Sequence, residues 1–126
     1  MHQAIYTPKG AKPLGPYSQG IVAQGKLVFL SGQGPVDPAS GKLVLGDFRA
    51  QAELTLSNVG TLLEAAGATW ADVVQVNVFI ADQANFAVFN EVYAQYVREP
   101  YPARSTIEAC LGQMGLEVAA IAVIQE

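Results

Sequence analysis

Leu116-Glu117-Val118-Ala119-Ala120-Ile121-Ala122-Val123-Ile124 is the stretch on which the fold turns. Successive side chains of a strand point to opposite faces, so Leu116, Val118, Ala120, Ala122 and Ile124 share one face and Glu117, Ala119, Ile121 and Val123 the other. Both faces are apolar. A strand buried on two sides needs two covers: helices of the same chain serve for one, and a second subunit is the simplest cover for the other. Glu117 then stands in an apolar surround, where an unpaired carboxylate tends to take up a proton. Its plainer reading is a strand-end carboxylate in water or a structural ion pair.

Working back from this strand, Leu111 to Gly115 carries turn glycines, and Ala103 to Cys110 reads as a strand that pairs with 116–124 as a hairpin. Pro100 and Pro102 stop a preceding helix at about Asn85 to Arg98, in which Phe86, Phe89, Tyr93, Tyr96 and Val97 recur at helical spacing. Val73 to Ile80 is β-branched and reads as a strand, introduced by the capping signal Thr69-Trp70-Ala71-Asp72. A longer helix spans Asp47 to Ala66, with Phe48, Ala52, Leu56, Val59, Leu63 and Ala66 on one stripe, Asp47 as its cap and Gly67 at its end. Nearer the start, Gly20 to Ala23 and Leu27 to Leu30 flank Gln24-Gly25-Lys26 and read as a β-hairpin, after an irregular opening segment through Pro13-Leu14-Gly15-Pro16. The order β-β-α-β-α-β-β predicts an α+β fold: one domain over residues 1–126, with a mixed sheet and both helices on one face.

Composition narrows the function. Apolar residues make up 51% of the 126 and charged residues 14%, against roughly 25% charged in an average soluble domain. So little charge implies exposed apolar surface on a monomer, hence an oligomer. The net charge is −4 and the pI about 4.8; the seven cations form no basic stripe, which argues against nucleic acid as a partner. The longest apolar run, Val118 to Ile124, is far shorter than a membrane span of ~20 residues. The opening residues do not resemble a secretory signal, so a cytoplasmic location is expected. With Cys110 and His2 the single examples of their kinds, no intrachain disulfide, Cys/His zinc site or Cys–His dyad near the core is expected. Cys110 reads as core.

Arg104, between prolines and a strand, is either a structural donor or a clamp for a carboxylate. In a hairpin of the last two strands it faces about position 121, some ~13 Å along the strand from Glu117, so the two meet through a ligand or across a subunit boundary. Gly15-Pro16-Tyr17-Ser18 is a turn that delivers an aromatic hydroxyl. Ser31-Gly32-Gln33-Gly34-Pro35 lets the backbone approach a neighbour closely, but it has neither the phosphate-loop spacing nor a dinucleotide fingerprint.

Taken in order, Gly15-Pro16-Tyr17-Ser18-Gln19-Gly20, Ser31-Gly32-Gln33-Gly34-Pro35, Asn58-Val59 with Glu64-Ala65-Ala66-Gly67, Val78-Phe79-Ile80, Asn90 and Tyr93, Pro102-Ala103-Arg104-Ser105, and Glu117 with Ala120 to Val123 resemble the RidA family of reactive-intermediate deaminases. The resemblance covers about Pro13 to Val123. It implies a chorismate-mutase-like fold, a homotrimer with an active site in each cleft between subunits, and neither metal nor organic cofactor. It further implies hydrolysis of 2-iminobutanoate and 2-iminopropanoate, and of their enamine forms, to 2-oxo acids and ammonia. Arg104 would hold the substrate carboxylate and Glu117 would place or activate water. Tyr17, Asn90 and groups at Ser31, Gly32 and Thr106 would line the pocket. Many members have cysteine where this chain has Thr106, so thiol chemistry is not carried over; the contact implied at that position is with the backbone. Two rival readings remain: a binding or regulatory protein for 2-oxo acids, which needs Arg104 but not Glu117, and a chorismate-mutase-type isomerase, whose dicarboxylate substrate would call for more converging cations than Arg104 supplies.

Overall fold

The computed structural model describes residues 2–125. Six strands and two helices follow one another as β1 (Gln3–Ile5), β2 (Gly20–Val22), β3 (Lys26–Gln33), α1 (Phe48–Ala65), β4 (Val73–Ile80), α2 (Phe86–Tyr93), β5 (Ala103–Glu108) and β6 (Leu116–Ile124). The result is a mixed α+β architecture. β3, β6, β4 and β5 lie side by side in that order, with β3 and β4 antiparallel to β6 and β5 parallel to β4. A parallel neighbour needs a crossover, and α2 supplies it between β4 and β5.

Two expected pairings are corrected. β2 does not form a hairpin with β3; it pairs with β1, Ala4 against Ile21, in a separate two-stranded sheet. Gly25, at φ 146°, turns the chain away from β2 with its Cα packed against the Ile124 carbonyl, and Gln125 donates to the Gln24 carbonyl at 3.0 Å. The turn therefore serves the β3–β6 pair. Nor is β5 next to β6, because β4 lies between them: Arg104 pairs with Val76, and Val76 with Ala120.

Local signals set the boundaries of α1. The Asp47 carboxylate accepts from Ala50 N at 3.0 Å and caps the helix start. At the other end Gly67, at φ 80°, donates to Glu64 O and Ala68 to Leu63 O, the paired bonds of a Schellman stop. The Thr69/Asp72 capping box forms as expected and leads through a short 3-10 turn into β4. α2 is shorter than its periodicity implied. Its last turn tightens, with Gln95 N bonded to Val92 O and Tyr96 N to Tyr93 O, yet Val97 still reaches the core.

One sheet face carries both helices. Ala52, Leu56, Val59 and Leu63 of α1 and Phe89, Val92 and Tyr93 of α2 pack on Val76, Val78, Ile80, Leu116, Val118, Ala120 and Ala122. The opposite face is bare, with Leu27, Phe29 and Ile107 exposed by 57%, 68% and 53%. Cys110, expected in the core, lies exposed beyond the end of β5.

Within α1 one buried polar atom has no partner: Thr55, wholly enclosed, leaves its Oγ1 unbonded. An unsatisfied buried hydroxyl costs about 1–3 kcal/mol, and valine fills nearly the same volume without it. Thr55→Val is therefore expected to raise the unfolding free energy by about 1 kcal/mol, read as a higher urea midpoint at unchanged slope. A lower midpoint would mean that the hydroxyl is satisfied in solution.

Candidate active site

β5 is an edge strand, and its start is pinned by the opening segment. Ser18 N bonds to Pro102 O at 3.1 Å and Ser18 Oγ to Tyr101 O at 2.5 Å. Tyr17 is folded back by a bond from Leu14 N to its hydroxyl at 3.0 Å, which carries its ring to 5.4 Å from the Arg104 guanidinium carbon. Gly15 lies in the same turn, close to Asn90 and Arg104 Nη2.

Because Arg104 pairs with Val76, its side chain leaves the sheet on the helix side, toward α2. There Nη1 donates to Asn90 Oδ1 at 2.8 Å. The rings of Phe86, Phe89 and Tyr93 stand 5.7, 5.8 and 5.2 Å from the guanidinium carbon. No carboxylate among the described residues pairs with it; the ion pair found among them is Arg49–Glu91, on the surface. Burial draws the Arg104 pKa below its ordinary value and pushes the Tyr93 phenol well above its own. The guanidinium nevertheless remains a cation at neutral pH, since arginine does not deprotonate in proteins. Thr106, two residues along, turns its Oγ1 into the same layer, where it is buried without a partner. Its side chain is thus directed into the protein, away from the lining of the cavity beside Arg104.

Ser31, Gly32 and Glu117 gather elsewhere. Between Leu30↔Ala120 and Gln33↔Val118, β3 advances three residues while β6 advances two, so Ser31-Gly32 forms a bulge. A side chain on Gly32 would overlap the Glu117 carboxylate, which occupies the space a Cβ would take. Glu117 pairs with Phe79 on the bare face. Gly32→Ala is accordingly expected to displace the Glu117 carboxylate from its seat against residue 32, with the melting temperature nearly unchanged; a crystal structure of the variant checks this. A carboxylate still lying against residue 32 in the variant would contradict the expectation.

The site residues named from the sequence thus fall into two groups. Arg104 is level with Ala120 and Glu117 with Ile107, three residues further along and two strands across, which separates their Cα atoms by about 14 Å; their side chains leave opposite faces. A cavity of about 520 Å³ opens beside Arg104, lined also by Tyr17, Ser18, Gln19, Gln75 and Ser105. Glu117, Ser31 and Gly32 take no part in it. Among the described residues no His, Cys, Asp or Glu cluster is arranged to hold a metal ion.

Comparison with known proteins identifies the family. The family model described as Endoribonuclease L-PSP, the model of the YjgF/RidA proteins, matches residues 7–124. The chain belongs to the RidA family. A RutC family protein of Pyrococcus horikoshii is 45% identical over 86% of this chain and 85% of its own. The 2-iminobutanoate/2-iminopropanoate deaminase of Bos taurus is 39% identical over 98% of this chain and 90% of its own. The crystal structure of RidA from the Antarctic bacterium Psychrobacter sp. PAMC 21119 is 40% identical, covers 97% of this chain and 99% of that one, and superposes with a TM-score of 0.74.

In this RidA-family chain the residues around Arg104 that sequence reasoning did not place at the site include Phe86, Phe89 and Tyr93 of α2 and Ser18, Gln19, Gln75 and Ser105 of the cavity. Helical spacing assigned Phe86, Phe89 and Tyr93 to a buried stripe, and they are in that stripe. What spacing omits is that the stripe runs past Asn90, so the side chains flanking Asn90 on its face meet whatever Asn90 binds.

Proposed function

We propose that this chain hydrolyses small 2-imino acids and their enamine forms, such as 2-iminobutanoate and 2-iminopropanoate, to 2-oxo acids and ammonia, at sites completed between the subunits of a homotrimer. The observation that carries this reading is Arg104: a largely buried guanidinium, fixed by one neutral acceptor, with no carboxylate partner among the described residues. A desolvated cation held in that way favours an anion, and its planar fork suits a carboxylate bound through two parallel bonds. The mammalian relative's name supports the choice of substrate.

In one chain Glu117 and Arg104 are too far apart, and on opposite faces, to hold the two ends of a three- or four-carbon acid. The bare face of Leu27, Phe29 and Ile107 is the natural cover for a second copy. Such packing would bring one subunit's Glu117, with Ser31 and Gly32, toward its neighbour's Arg104, Tyr17, Asn90 and Thr106 backbone. Each unit of the assembly comprises residues 1–126. With the carboxylate on Arg104, Glu117 takes a proton from water as it adds to the C=N carbon. That proton is passed to nitrogen to give a carbinolamine, and transfer of the carbinolamine hydroxyl proton to nitrogen as the C–N bond breaks releases ammonia and leaves the C=O of the 2-oxo acid. The chemistry needs no cofactor, and the acidic pI makes nucleic acid and anionic membranes poor partners. We place the reaction in the cytoplasm.

A second reading, a non-catalytic 2-oxo acid binder, is favoured by the position of Glu117 outside the cavity beside Arg104. A coupled assay separates the two. Threonine dehydratase generates 2-iminobutanoate, and its decay is followed with and without this chain. Acceleration above the spontaneous rate supports the enzyme; an unchanged decay together with saturable 2-oxobutanoate binding supports the binder.

A further inference from the structure

Arg104 is enclosed by aromatic rings on two sides. Phe86, Phe89 and Tyr93 come from one face of α2 at i, i+3 and i+7, and Tyr17 comes from the opening segment. All four ring centres fall 5.2–5.8 Å from the guanidinium carbon, inside the ~6 Å at which the negative face of a ring attracts a cation. Asn90 lies on the same helix face and takes one of the five guanidinium N–H groups. The Tyr93 hydroxyl is buried and bonded to nothing among the described residues, so Tyr93 meets Arg104 through its ring.

We propose that these rings form a collar whose function is to hold Arg104 oriented and un-neutralised, with Phe86 the positioning residue best placed to tune it. The inference rests on the proposed carboxylate-binding role of Arg104 and adds to it the reason why that residue is available. A buried arginine is ordinarily stabilised by a carboxylate, and an internal carboxylate would compete with an anionic ligand for the same fork. Ring faces stabilise the charge without cancelling it and accept no in-plane N–H bonds, so the remaining donors stay uncommitted. Without the collar the side chain of Arg104 would turn toward water in the empty site and would have to be recaptured on binding.

Phe86 is half-buried at the start of α2, so it tolerates replacement better than the wholly enclosed Phe89 and Tyr93. Ring fluorination changes its electrostatics at nearly constant shape. Replacing Phe86 by mono-, di- and trifluorophenylalanine is expected to raise the Kd for 2-oxobutanoate stepwise, reaching about 10-fold at the last member, because each fluorine drains the ring face. In turnover assays KM should follow Kd while kcat changes less than about 2-fold, since uniform binding is what is lost. Phe86→Leu should bind as weakly as the trifluoro variant, and Phe86→Trp should restore binding. A Kd that stays at the wild-type value through the fluorine series would overturn the collar and leave the rings as packing, with the proposed function intact. Failure of the wild-type protein to bind 2-oxobutanoate, or binding by Arg104→Ala as tight as wild type, would overturn both.

Discussion

Arg104→Ala is expected to lower kcat/KM for 2-iminobutanoate by on the order of 10²-fold or more. Two charge-assisted bonds to the substrate carboxylate, at about 1.5 kcal/mol each, amount to about 3 kcal/mol of lost stabilisation. The guanidinium has no ionic partner among the described residues, so its removal strands no opposite charge; the melting temperature should fall only modestly. Affinity for 2-oxobutanoate should fall in parallel with kcat/KM. Arg104→Lys should recover less than a tenth of the loss, because an ammonium offers neither the planar fork nor the flat face that the surrounding rings embrace. Turnover by the alanine variant within 3-fold of wild type would remove Arg104 from the site.

The second large effect is expected at Glu117. Glu117→Gln keeps the shape that lies against Gly32 and removes the proton acceptor, so kcat should fall by about 10²–10⁴-fold, the usual range for a general base. Binding of 2-oxobutanoate should survive within about 2-fold, since the carboxylate end is held elsewhere. The two variants together test where the site lies. If Arg104 and Glu117 act across a subunit boundary, unfolding and refolding an equal mixture of Arg104→Ala and Glu117→Gln should restore up to about a quarter of wild-type activity, because that fraction of clefts draws both intact residues from different chains. If each chain holds a complete site, the mixture stays dead.

Much of the frame was legible from local chemistry. β4 declares itself through a β-branched run, β6 through an alternation that is apolar on both faces, and α1 through Asp47, its stripe and Gly67; these signals lie within a few residues of the structure they specify. The pairing partners did not. Whether β5 sits beside β6 or beside β4 depends on a crossover through α2, a non-local choice that the short 111–115 connection disguised as a hairpin. β1 is three residues with no pattern of its own, and it forms because β2 leaves an edge to be paired. The candidate site could be named in the sequence as a set of residue types and through a family resemblance, but the division of those residues into a helix-side Arg104 group and a bare-face Glu117 group follows from register alone. The role of Phe86 and Phe89 was hidden because an aromatic residue that fills a core and one that flanks a cation look alike in a sequence.

β3 also bears on how a single copy of the chain behaves in solution. It closes one end of the four-stranded sheet with one row of backbone groups unclaimed by that sheet, and it presents Leu27 and Phe29 on the side the helices leave open. Such a rim is a template for adding foreign strands. In the proposed homotrimer a protomer diluted away from its partners would be a seed for misassembly, and dilution would then threaten it as heat does, making persistence in solution a matter of abundance as much as of intrinsic stability.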